Sequence, residues 1–212
     1  MLKTQIVLTN SIDESEKLKS LASFGETTFD KHYMSALELA EYLLQLSGII
    51  YKEKFITNDE LAAMMWEEMT DIDYFSLFTY KDVIDFLSII QKLRYLIVSD
   101  EEQTIKTKLP KKEFSEKNNA IIKGYDLLNK TKKTHHLVDE VDIVRLALGK
   151  IKPQPNIEFK RFEKSHLKPL EIALLNKAAG KEVLEEPINS EPKKISIKRY
   201  TKAFGQIGRA HV

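Results

Sequence analysis

The side chains with chemical potential in this chain are a few acidic clusters, five histidines and many lysines. Spacing decides what each can do. Residues 9–18 (TNSIDESEKL) follow a short apolar run, where a parallel α/β protein would carry a phosphate-binding loop. Such a loop needs glycines, so that backbone N–H groups can approach the phosphates, and a Lys followed by Ser or Thr. Here the next glycine is Gly25, and Asp13, Glu14 and Glu16 would repel a triphosphate. Nucleotide binding at this turn is not expected. A later apolar run, residues 157–162, leads into EKSH at 163–166, without the Asp-Glu pair that would orient magnesium and water.

His135 and His136 are adjacent, so on a helix their side chains diverge by about 100° and cannot chelate one ion together. They read as solvated residues at a helix end. His32 and His166 stand alone and read as ordinary structural residues. Glu67 with Glu68, and Asp139 with Glu140 and Asp142, could suggest acid–base work. A helix N-terminus also attracts carboxylates through its dipole, and that reading suits Asp139 and Asp142 better. No Gly-x-Ser-x-Gly elbow is present, and the absence of cysteine excludes disulfides, thiolate catalysis and Cys-based zinc sites. No catalytic residue, metal ligand or cofactor contact is assigned. The residues left as candidates are Lys106, Lys108, Lys111 and Lys112, and the run Lys130, Lys132 and Lys133, which could hold the phosphates of a nucleic acid. A solvated lysine-rich surface is the simpler alternative, and no interleaved aromatics offer base stacking.

The elements that would position these residues follow from the periodicity. TQIVLT (Thr4–Thr9) is a buried strand, and residues 11–14 (SIDE) open a helix that runs to about Ala22, before Gly25. Phe29–Met34 reads as a second strand. Ser35 and Glu38 make a capping box for a helix that Gly48 ends, with Leu37, Leu39, Ala40, Leu43, Leu44 and Leu46 apolar on more than one face. Strand, helix, strand, helix is the rhythm of a parallel α/β sheet. It then changes to helices: Thr57 to Met69, about Thr79 to Tyr95, Ser115 to about Lys133 and Asp139 to Leu148, with residues 100–112 as a polar loop. After the breaker at 152–156 (KPQPN), Ile157–Phe162 is a strand and Leu167–Ala179 a helix, with Pro169 in its first turn and Gly180 at its end. Residues 185–194 read as loop and Ile195–Thr201 as a further strand.

The expected fold class is therefore α/β, helix-rich, with a parallel sheet of about four to five strands and a large all-helical insertion. The α/β core spans residues 1–50 and 151–206, and the insertion 51–150. Hydrophobic residues at 42% and charged residues at 31% describe a soluble globular chain, and no apolar run approaches the length of a membrane span. Lack of cysteine and of a signal peptide suits the cytoplasm. Residues 1–100 carry 9 basic against 17 acidic side chains, and residues 101–212 carry 24 against 15. The basic half could attract a polyanion. The last six residues, IGRAHV, can be back-translated as ATC GGA AGA GCA CAC GTC, a string that lies within a widely used sequencing adapter. Residues 207–212 are expected to be an artefact tail, with the natural chain continuing beyond Gln206.

The order of segments resembles the N-terminal region of the AddB-type chain of bacterial ATP-dependent helicase/deoxyribonuclease complexes (the AddAB type), in the PD-(D/E)XK nuclease superfamily. YMSALELA (33–40) is similar to the family's strand-then-helix passage. YDLL (125–128) followed by LVDEVDIV (137–144) resembles its helical subdomain, where a Tyr-bearing helix meets an Asp-rich turn. IEFKRF (157–162) with LKPLEIALL (167–175) is similar to the region of a degenerate second helicase motif, and ISIKRYTKAFG (195–205) to the strand beyond it. The resemblance implies a DNA-binding scaffold fragment used in double-strand-break repair and recombination. Its partners would be DNA and a motor helicase-nuclease subunit, with no membrane. ATP and Mg²⁺ would belong to the full-length complex, not to this fragment. Missing the family's Gly-rich Lys-Ser/Thr loop, this lobe would be an inactivated helicase fold, and the exonuclease carboxylates and cluster cysteines would lie beyond it. Two alternatives stay open: a helical interaction module whose acidic half docks a helicase partner without DNA contact, and a nucleotide-binding domain with an atypical loop.

Overall fold

A computed structural model of the chain describes residues 4–24, 31–108, 115–162 and 166–184. The protein is α/β. Strand β1 (Thr4–Leu8) leads into helix α1 (Ile12–Phe24), then strand β2 (Lys31–Met34) and helix α2 (Ala36–Leu46). Strand β5 (Ile157–Arg161) and helix α8 (Pro169–Ala179) come last, and the three strands form one parallel sheet in the order β2-β1-β5. β1 is central, with Val7 opposite Tyr33 on one side and Lys160 on the other. Its Ile6, Val7 and Leu8 are all buried, as expected of a strand covered on both faces.

Between β2 and β5 the described residues are mostly helical. Strand β3 (Lys54–Phe55) precedes helix α3 (Asn58–Thr70), a 3₁₀ turn (Asp73–Phe75), helix α4 (Tyr80–Tyr95), helix α5 (Glu101–Lys108) and helix α6 (Ser115–His135). Strand β4 (Leu137–Val138) and helix α7 (Glu140–Lys150) complete it. β3 and β4 pair in parallel, Lys54 with Leu137 and Phe55 with Val138, as a separate two-stranded sheet. The described residues thus contain five parallel strands, three in the main sheet and two in this clip.

Local signals explain most helix starts. Ser35 with Glu38, Thr57 with Glu60, Thr79 with Asp82 and Asp139 with Asp142 all close reciprocal capping boxes. Pro169 occupies the first turn of α8, and Gly180 ends it in the left-handed region at φ 69°. On α2, Leu39, Ala40, Leu43 and Leu44 are buried, whereas Leu46 is exposed near the helix end.

Two apolar clusters divide the packing. One joins β1, β5, α2, α7 and α8 through Ile6, Leu8, Leu43, Val144, Phe159 and Leu174. The other joins α3, α4, α5 and α6 through Met65, Phe75, Phe86, Ile90, Ile105 and Leu128. The β3–β4 clip closes the helical segment at Lys54 and Val138, and α7 packs with the α/β layer although it lies before residue 151. Tyr95, at the end of α4, belongs to the first cluster while the rest of α4 serves the second.

Residues 101–108 differ from the expected polar loop: they form α5. Ile105 is its single apolar anchor and is buried among α3, α4 and α6. Glu102 and Lys106 pair one turn apart at 2.8 Å, and the N–H of Thr104 donates to the Asp100 carbonyl. One apolar residue in eight carries no periodicity, so only the tertiary anchor fixes this helix. Gly25, Pro110, the expected loop at 185–194, the expected strand at 195–201 and the tail at 207–212 lie outside the described residues.

Candidate functional site

Parallel α/β sheets bind ligands beyond the carboxyl ends of their strands, where successive connections leave in opposite directions. With β1 central, that point lies between β1 and β5. A crevice of about 380 Å³ opens there, lined by Asn10, Ser11 and Asp13 after β1, Ser35 after β2, and Lys168 and Glu171 after β5. The helical segment forms its opposite wall through Gln91, Lys92 and Tyr95 of α4 and Glu140 of α7.

Its floor is already hydrogen-bonded. The Tyr95 hydroxyl donates to Glu140 Oε1 at 2.5 Å, and Gln91 Nε2 donates to Glu140 Oε2 at 2.9 Å. Lys168 Nζ lies 4.4 Å from the centre of the Tyr95 ring, and the Lys168 backbone N–H donates to Glu171 Oε2 at 2.6 Å. Burial, then Glu140, pushes the Tyr95 phenol well above its ordinary range, so it stays a protonated donor. Burial also raises the Glu171 carboxyl, although its bond to the Lys168 N–H opposes this. At the turn after β1 the Asn10 N–H donates to Glu14 Oε2, and Ser11 Oγ accepts from the Glu14 N–H. Three carboxylates therefore face two ammonium groups around the crevice, and part of the α1 N-terminus is satisfied by its own side chains.

Beside the crevice is a buried ionic cluster that local spacing in the sequence does not reveal. Arg94, on α4, is 2% exposed. Its Nε meets Glu101 Oε1 at 2.7 Å, Nη1 meets Asp139 Oδ2 at 2.5 Å, and Nη2 meets Asp142 Oδ1 at 2.5 Å. Lys132 on α6 reaches the same two aspartates at 2.8 and 2.7 Å. Arg145 on α7 pairs with Glu101 Oε2, and its Nη2 donates to the Arg94 carbonyl at 3.0 Å. The Tyr125 hydroxyl adds a bond to Glu101 at 2.8 Å. Three cations balance three carboxylates across α4, α5, α6 and α7. Burial by itself would raise the Asp139 carboxyl, but Arg94 and Lys132 outweigh it and hold the group at about 2. Burial likewise opposes the charge on Arg94, and the three carboxylates more than restore it.

The candidate lysines fall in different settings. Lys106 is exposed on α5 and pairs with Glu102 at 2.8 Å and Asp126 at 3.0 Å. Lys108 ends α5, while Lys111 and Lys112 lie outside the described residues. Lys130 and Lys133 are exposed near the end of α6, and Lys130 meets Glu68 at 2.8 Å. Lys132 faces inward and is bound up with Asp139 and Asp142, so its charge is spent inside the protein. His135 and His136 are exposed at the same helix end, with His136 in the left-handed region at φ 53°. Among the described residues, no three His, Cys, Asp or Glu side chains are grouped to hold a metal ion. Asp139 and Asp142 do cap α7 and also serve the cluster. The signal that could have revealed this second role is Arg94 itself, a cation on the same face of α4 as Leu87 and Ile90.

No family profile matches this chain, and no curated protein matches it either.

Proposed function

We propose that this chain is a nucleotide-silent, helicase-like scaffold lobe that holds DNA for a partner motor subunit in a cytoplasmic break-repair complex. The observation that supports the reading is the carboxyl-edge crevice. A lobe that hydrolysed ATP would present glycine N–H groups and a lysine to the phosphates there; this crevice presents Asp13, Glu140 and Glu171, with Lys168 held over Tyr95. Asp13 stands in the first turn of α1, where a phosphate would have to approach. The ionic cluster fits a scaffold as well. It ties four helices together through groups that are costly to separate, so the helical segment keeps its place against the sheet.

Phosphate contacts would come from Lys106, Lys130 and Lys133, which are exposed, because a polyanion is held by cations that reach the surface; Lys108, Lys111 and Lys112 are proposed with them from the sequence alone. Among the described residues no helix is long and apolar enough to cross a membrane. The test is binding of fluorescent duplex and single-stranded DNA across a salt series, with ATP hydrolysis measured in parallel. The expected result is sequence-independent binding that weakens steeply with salt, loss of at least about one unit of the log–log salt slope in a Lys106→Glu, Lys130→Glu, Lys133→Glu variant, and no hydrolysis. DNA affinity that is absent at low salt, or ATP turnover by the chain alone, overturns the proposal.

A further inference from the structure

The helical hairpin of α3 and α4 presents apolar surface that no described residue of the chain covers. Leu77, between the 3₁₀ turn and α4, is 93% exposed, and Trp66, Tyr74 and Tyr80 are 43%, 48% and 39% exposed. The three aromatic side chains are held in position. The Trp66 indole N–H points to the Phe78 carbonyl at 3.4 Å, and its ring meets Tyr80 edge-on with centroids 6.4 Å apart. The Tyr80 hydroxyl donates to the Asp59 carbonyl at 2.7 Å, and Tyr74 stands edge-on against the buried Phe75. Beside Tyr74 a groove of about 470 Å³ continues between residues 72–74 and the first turns of α6. Fixed aromatics with solvent-facing area are suited to binding, since little rotamer freedom remains to be lost.

The charge around this face selects its occupant. Residues 57–86 contain eight carboxylates and one cation, Lys81, and α6 adds Lys123 at the groove and Lys130 on Glu68, which leaves the face strongly acidic. All eight carboxylates (Asp59, Glu60, Glu67, Glu68, Asp71, Asp73, Asp82 and Asp85) are exposed. Glu60 and Asp82 close capping boxes and Glu68 meets Lys130, but none of this hides their charge from solvent. A polyanion is repelled here, and an uncharged apolar partner would strand the carboxylates. We propose that the α3–α4 face docks a basic amphipathic segment of a partner protein, whose apolar side chains cover Leu77, Trp66 and Tyr74 while its Lys and Arg residues meet the acidic rim. The proposal does not rest on DNA binding, because it uses the opposite charge, although the two surfaces adjoin where Lys130 of α6 pairs with Glu68.

Trp66 is the sole tryptophan, so its emission reports directly on this face. The full chain is titrated with a synthetic Lys- and Leu-rich amphipathic helix, with a scrambled peptide of equal composition, and with polylysine. The expected result is a saturable blue shift with the amphipathic peptide, at least about tenfold tighter than with the scrambled one. Leu77→Ser, a change at an exposed side chain, should weaken binding about fivefold or more, and Glu67→Gln with Asp71→Asn and Asp73→Asn should reduce its salt sensitivity. Equal affinity for the scrambled peptide or polylysine reduces the face to a generic acidic surface and overturns the proposal. Absence of a shift also overturns it, as does a concentration-dependent shift without peptide accompanied by a larger sedimentation coefficient, which would assign the face to a second copy of the chain.

Discussion

Replacing Arg94 with methionine isolates the ionic cluster. The side chain is 2% exposed and reaches Glu101, Asp139 and Asp142 at 2.7, 2.5 and 2.5 Å. Arg94→Met keeps the aliphatic stem in its packing but leaves three carboxylates facing two cations, Lys132 and Arg145. Removing one partner of a buried ionic group costs about 3–5 kcal/mol, because the remaining charge stays desolvated. With a urea m-value of about 2 kcal/mol/M, the unfolding midpoint should fall by about 2 M at pH 7. Arg94→Lys should recover only part of this, since one ammonium cannot span carboxylates on α5 and α7 as a planar guanidinium does. Lys130→Met is the control: that pair with Glu68 is 68% and 54% exposed, so its loss should change stability by less than about 1 kcal/mol. Adding Asp139→Asn to Arg94→Met should restore part of the loss, as both charges then leave together. The assay is equilibrium urea denaturation followed by circular dichroism and by Trp66 emission. A midpoint drop for Arg94→Met no larger than that of Lys130→Met, at unchanged m, would refute the view that this cluster fixes the helical segment to the sheet.

Acid should expose the same cluster. The Asp139 carboxyl is held at about 2, against an ordinary value of about 3.9. Its folded-state value is depressed, so its contribution is complete above about pH 5 and disappears as pH falls through about 4 toward about 2; roughly 2 kcal/mol should be lost there, and Asp139→Asn should flatten that limb of the urea midpoint profile. Glu171 has the opposite sign. Burial raises its carboxyl, so its charged form opposes folding as pH rises, and Glu171→Gln, which keeps an acceptor for the Lys168 N–H, should raise Tm at pH 8 but not at pH 3. Two helical glycines should also diverge. A Cβ on Gly124 would lie 2.5 Å from Phe86 Cζ, so Gly124→Ala should cost about 1–3 kcal/mol despite its better helix propensity, with relief from Phe86→Leu, whereas Gly149 has open space and Gly149→Ala should gain up to about 1 kcal/mol in thermal unfolding.

Much of the candidate site was legible only as separate pieces. Asp139 and Asp142 could be read as caps because a capping box is a four-residue pattern with a local cause. Their bonds to Arg94 join residues 45 and 48 positions apart, and no local spacing encodes that meeting. Lys132 illustrates the same limit. In sequence it belongs to a run with Lys130 and Lys133, but the turn of α6 sends it inward to two carboxylates while its neighbours face water. The crevice wall formed by Gln91, Lys92 and Tyr95 follows from α4 crossing between the two clusters, which periodicity along α4 does not determine.

By itself, the sequence determined the alternation of strands and helices within residues 4–46 and 157–179, the capped starts of α2 and α7, the stop at Gly180 and the charge contrast between the halves. Each rests on interactions within a few residues or on composition. Only the tertiary structure decided that β1 is central, that β3 and β4 clip the helical segment, that residues 101–108 coil around Ile105, and that α7 joins the α/β layer. Those features depend on pairings and burial between distant segments. Their free energy appears only when the two apolar clusters close and charges remote in sequence are desolvated together.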